Sequence, residues 1–83
     1  MAIDKSTILA RIENDFVYHA PFGDQVERYA AIRLQLRETA KYIVESTPVS
    51  REQSLALTAL EEAMFWSNAA VARNEKEIPA PSG

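Results

Sequence analysis

Residues Glu61–Glu75 read EEAMFWSNAAVARNE. The composition is helical, yet Met64, Phe65 and Trp66 are three consecutive bulky apolar residues. Successive helix positions are ~100° apart, so these side chains cannot all face one neighbour. Over the whole segment two stripes separate. Gln53, Leu57, Leu60, Met64, Ser67 and Val71 form one. Leu55, Ala59, Glu62, Trp66, Ala69 and Arg73 form the other, on roughly the opposite side, with Phe65 at its edge. A helix with two apolar stripes needs two partners.

Working outward, Ser50 and Gln53 make an S-x-x-Q capping box that starts this helix at Arg51, and it should run to about Asn74 or Lys76. The four residues before it, TPVS, are too short for anything but an antiparallel link. The preceding helix should start at Asp24, where Asp24 and Glu27 resemble a capping box, and end near Ser46, because Pro48 disfavours helical geometry at Thr47. Tyr29, Ile32, Leu36, Ala40 and Ile43 give it one apolar stripe, expected to face the first stripe of the last helix. A short helix from Ile3 to Asn14 carries Ile8, Leu9 and Ile12 on one face, with Asp4 or Ser6 as cap. Residues 77–83 are Pro- and Gly-rich and predict a flexible tail.

The fold class is therefore all-α: a short N-terminal helix and a long antiparallel helical hairpin, one domain over 1–83 with its core in about 4–76. The short helix is too small to cover the second stripe, and an exposed patch holding Leu55, Phe65 and Trp66 is a liability on a monomer. Ala59, Ala63, Ala69, Ala70 and Ala72 allow close approach of other helices. The expected arrangement is an interlocked homo-oligomer with Phe65 and Trp66 between chains. The competing arrangement is a three-helix monomer with Trp66 under the first helix.

Composition points the same way. A chain of 83 residues is marginal alone and is usually supported by disulfides, metals or oligomerisation. It has no Cys, and His19 is its single His, which removes a disulfide framework and the common zinc ligand sets. The same scarcity removes Ser-His-Asp and Cys-His catalysis. Glu61 and Glu62 diverge on a helix and make no evident acid/base pair, and no Gly-rich phosphate loop exists. The expectation is a protein that is not an enzyme and holds no cofactor or metal. A net charge of −3 disfavours binding to long nucleic acid. With neither a transmembrane run nor a signal peptide, the chain reads as soluble and intracellular.

Two features point to a smaller anion. Arg33, Arg37 and Lys41 follow one another at i, i+4 and i+8. Helical arithmetic places Arg33 between Val26, Ala40 and Val44, inside the apolar arc, where a guanidinium needs a partner. That partner is either Glu61 or Glu62, from the same or another chain, or a ligand phosphate, which Arg matches bidentately. The loop FVYHAPFG, residues 16–23, crowds Phe16, Tyr18, His19 and Phe22 around Pro21. Flat rings near Arg are what nucleobases stack on, although such a loop can also be a hydrophobic flap. Rings and cations on an acidic protein suggest a small nucleotide held in a pocket.

YHAPFGDQVERYAAIR followed by SREQSLALTALEEAMFWSNAAVARNE, about Tyr18 to Glu75, resembles the phage anti-CBASS cyclic-oligonucleotide sponges, the second anti-CBASS family. Tyr18-His19-x-Pro21, the run Ser54-Leu55-Ala56-Leu57-Thr58 and Trp66-x-Asn68-Ala69-Ala70-x-Ala72-Arg73 carry the likeness. The resemblance implies an interlocked homohexamer, acting in the cytoplasm of the infected bacterial host. It implies that cyclic dinucleotides such as cyclic GMP-AMP bind between paired protomers and are sequestered uncleaved. It also implies separate cyclic trinucleotide sites near the threefold axes. Tyr18 matches the family's loop tyrosine, which closes over the dinucleotide. Arg33 falls where its cationic partner on the second helix is expected. Arg73 matches the basic residue near the end of the last helix, a candidate for the trinucleotide site. The ligand-binding set is then Tyr18, Arg33, Phe16, His19, Phe22, Arg37 and Arg73.

Two departures stand out. The family's loop tends to read Pro-Pro-Lys where this chain has Ala20-Pro21-Phe22, and Val26 stands where Pro is common. Phe22 is then placed to stack where Lys would have paired. The alternative function is a small helical adaptor that uses its apolar hairpin face on a host protein.

Overall fold

A computed structural model describes residues 4–76. Three helices follow one another: α1 (Lys5–Asp15), α2 (Gln25–Ser46) and α3 (Arg51–Asn74). The expected tail, 77–83, and the start of the first helix at Ile3 lie outside the described residues. Asp4 caps α1: its carboxylate accepts the Thr7 N–H at 2.8 Å and the Ser6 hydroxyl at 2.9 Å. The Thr7 backbone bond is the main reason the Asp4 carboxyl titrates below its usual range.

α2 and α3 pack as an antiparallel hairpin through the two stripes expected to face each other. Tyr29, Ile32, Leu36, Ala40 and Ile43 are half-buried, as are Leu57, Leu60, Met64, Ser67 and Val71. Thr47 is extended before Pro48, which ends α2 where proline geometry dictates. At this tip Ser50 Oγ accepts the Gln53 N–H at 3.1 Å. The other half of the capping box does not form. The Gln53 amide turns inward and donates to the Thr47 carbonyl at 3.1 Å and hydroxyl at 3.0 Å, so it is buried.

The capping box expected at Asp24 is absent as well. Asp24 has near-helical backbone angles (φ −91°, ψ 13°), whereas a side-chain cap needs an extended residue. Gly23, with φ of 57°, makes the preceding turn. Gln25 closes that turn: its N–H donates to the Phe22 carbonyl, and its side-chain oxygen accepts the Phe22 N–H, both at 3.1 Å. The Gln25 amide also donates to Glu75 Oε1 at 3.1 Å. Arg28 holds the same carboxylate with both terminal nitrogens, one at 2.7 Å from Oε2. The Arg28 bond, then the Gln25 bond, pushes the Glu75 carboxyl down to about 2. A glutamine thus locks each end of the hairpin.

Between those locks, no apolar side chain of the described residues is fully buried. α1 meets the hairpin only at its C-terminal end, through Asn14 and Asp15 beside Arg73. Its Ile8, Leu9 and Ile12 are exposed, and Trp66 is 66% exposed, so the arrangement with Trp66 under the first helix is not the one adopted. The radius of gyration is 17.7 Å, against about 12 Å for a compact globule of this length.

Candidate functional site

The end of the hairpin that Gln25 locks carries a cleft of about 430 Å³. The α1–α2 loop contributes Val17, Tyr18 and His19, α2 contributes Tyr29 and Arg33, and α3 contributes Asn68, Ala69, Ala72 and Arg73. Asp15 at the end of α1 completes the wall. The loop is anchored by its histidine: His19 Nε2 donates to the Asn14 carbonyl at 2.7 Å, and the Asn14 amide donates to the Arg73 carbonyl at 3.0 Å. These bonds run from loop to α1 to α3. Tyr18, 86% exposed, stands beside the anchored His19 with its ring free.

The two cations differ in commitment. Arg73 faces Asp15 at 3.7 Å, whereas Arg33 has no ion-pair partner among the described residues. Arg33 is exposed in the single chain, so it is not buried against Glu61 or Glu62 of its own chain.

Four of the residues singled out from sequence, Tyr18, His19, Arg33 and Arg73, therefore share one cleft. Arg37 lies further along, in an apolar groove of about 470 Å³ that it shares with Arg33, Leu57, Leu60, Glu61 and Met64. Phe16 is 82% exposed and lines none of these hollows. Phe22 is half-buried, its backbone held by Gln25 on both sides. Arg73 also borders a depression of about 480 Å³ with Glu62, Phe65, Trp66 and Ala69, on the second stripe of α3.

Asn14 and Asp15 were not singled out from the sequence, Tyr29 was expected only in the apolar stripe of α2, and Asn68 only in the run that carries the family likeness. Asn68 had a signal: it is a polar residue within the Ala-rich run Asn68–Ala72. Asn14 and Asp15 had none, because they act through the chain reversal of the loop. Among the described residues no group of His, Cys, Asp and Glu could hold a metal ion, and no helix is long and apolar enough to cross a membrane.

No curated protein and no solved structure matches the chain. The family described as Acb2/Tad1, hairpin domain, matches residues 9–72, from within α1 to near the end of α3. The match covers the whole cleft except Arg73. The chain therefore belongs to the Acb2/Tad1 hairpin-domain family of cyclic nucleotide sponges, non-catalytic binders that sequester the signals of host anti-phage defence.

Proposed function

We propose that the part of the cleft bounded by Tyr18, His19 and Arg33 takes a cyclic dinucleotide and holds it uncleaved, denying it to CBASS effectors in the cytoplasm of the infected host. The observation that carries this reading is the meeting of a free aromatic ring and an uncommitted guanidinium at one opening. Tyr18 covers a base, and Arg33 meets a phosphate, which a guanidinium matches in a fork.

The working assembly is a homohexamer. The support is the apolar second stripe of α3, whose Leu55, Phe65 and Trp66 stay exposed in the single chain. Cyclic trinucleotides take a separate site at Arg73, toward the Phe65 and Trp66 depression, near the threefold axes. Phe16, Phe22 and Arg37 lie outside the cleft of one chain and serve only where a second copy brings them to it.

Calorimetry against a panel of cyclic di- and trinucleotides, with the ligand recovered after denaturation, tests this. The expected result is saturable binding with unchanged ligand, and selective loss of trinucleotide binding in Arg73→Ala. Linear products at catalytic yield, or no response to any member of the panel, would sink the proposal. In the second case the exposed Leu55, Phe65 and Trp66 favour the adaptor reading.

A further inference from the structure

One buried side-chain atom of the described residues lacks a hydrogen-bond partner: Asn68 Oδ1, in the wall of the cleft. Buried amide oxygens nearly always find a donor, so an exception needs a reason. None of the donors that line the same cleft bonds to it. His19 Nε2 is bound to Asn14, and the Arg73 guanidinium faces Asp15. Asn68 itself is half-buried, and rotation about its soft terminal torsion is the motion that would bring Oδ1 to a ligand.

The chemistry of that oxygen restricts its partner. It accepts and cannot donate, so it cannot bind a phosphate oxygen. The phosphates suit the guanidinium groups, and the Asn68 oxygen is left for the nucleoside. A nucleoside offers donors on its base edge and on its ribose hydroxyls, and a tyrosine placed to stack on the base favours the base edge. We propose that Asn68 reads the nucleobase of the bound cyclic nucleotide, its Oδ1 accepting a hydrogen bond from an exocyclic amine. This assignment rests on the cleft being the dinucleotide site. It makes Asn68 a determinant of which bases are held, where Tyr18 stacks on any base and Arg33 serves any phosphate.

The test compares cyclic GMP-AMP with an analogue that carries hypoxanthine and unsubstituted purine. The analogue lacks both exocyclic amines and keeps the phosphates and ribose hydroxyls. Wild-type protein should bind the analogue about 5- to 150-fold more weakly, the range for leaving one buried polar group unpaired. Asn68→Leu, similar in size and without the oxygen, should bind both compounds at the weaker level. Asn68→Ala removes the same oxygen without adding volume and should lose discrimination equally. Equal binding of both compounds by the wild type overturns the proposal while leaving the cleft reading intact. So does a lighter ligand-free assembly in either variant with both compounds weakened alike, because the oxygen's partner is then protein. If wild-type protein binds neither compound, the cleft reading fails and the Asn68 assignment with it.

Discussion

Replacing Trp66 with alanine should dismantle the assembly, and the size of the effect follows from its exposure. A tryptophan presents about 200 Å² that can be buried. With 66% of its surface still open in the single chain, roughly 130 Å² remains for another copy to cover. At about 25 cal/mol per Å² that is roughly 3 kcal/mol per Trp66. Alanine retains a small part, so the loss is about 2–3 kcal/mol per copy, or 30- to 150-fold in a dissociation constant. An interface related by a twofold axis holds two copies of the side chain and should lose the square of that factor. Sedimentation velocity over a hundredfold range of protein concentration measures it. Wild type should keep one large species, and Trp66→Ala should shift to smaller species as it is diluted. Helix content should fall with it, because no apolar side chain of the described residues is fully buried without a second copy. A monomeric wild type at micromolar concentration, or a variant with unchanged mass on dilution, would refute the reasoning.

Three other outcomes are expected. Tyr18→Ala should weaken cyclic dinucleotide binding about 5- to 150-fold, the range for one base–aromatic stack, and Arg33→Ala should weaken it comparably. Both side chains are exposed, so the ligand-free melting temperature should not move; a fall in Arg33→Ala alone would make that residue structural. Gln25→Leu should cost about 1–3 kcal/mol in chemical denaturation for each group left unpaired, and should speed hydrogen exchange at the Phe22 amide. Unchanged exchange would remove Gln25 as the clamp of the loop. Glu75 titrates at about 2 in the folded chain against 4.5 ordinarily. Its depressed value means that its tie is fully present above pH 4.5 and is lost as pH falls through about 2. Glu75→Gln should therefore flatten the acid limb of melting temperature in that window. The difference should be small and should shrink with salt, because the pair is accessible to water.

The hairpin was legible because its signals are local. Pro48 stops α2, Ser50 starts α3, and two stripes at helical spacing give α3 its inner and outer faces. The polar locks were not legible. Gln25 and Arg28 open α2, and Glu75 follows α3 about fifty positions later, so their meeting depends on the antiparallel register. Periodicity tells which face turns inward but does not tell which residue of one helix stands opposite which of the other. Gln25 also defeats the usual expectation that a polar side chain at a helix start faces water. Arg33 shows the opposite error. Its angle placed it in the apolar arc, but one neighbouring helix covers only part of that arc, and the rest is open in the single chain.

That openness couples assembly to binding under the proposed function. A cleft completed by a second copy exists fully only in the assembled state, so any ligand held there stabilises the assembly by its own affinity. At a free concentration 100 times the dissociation constant, one site contributes about 2.7 kcal/mol. This is comparable to the roughly 3 kcal/mol available from covering one Trp66. The two terms should substitute for each other. Trp66→Ala diluted until it dissociates should reassemble when saturating cyclic dinucleotide is added, and Tyr18→Ala combined with Trp66→Ala should need about 5- to 150-fold more ligand to do so. If the ligand raises the melting temperature of the dissociated variant without raising its mass, one chain holds the ligand alone, and the shared cleft is refuted.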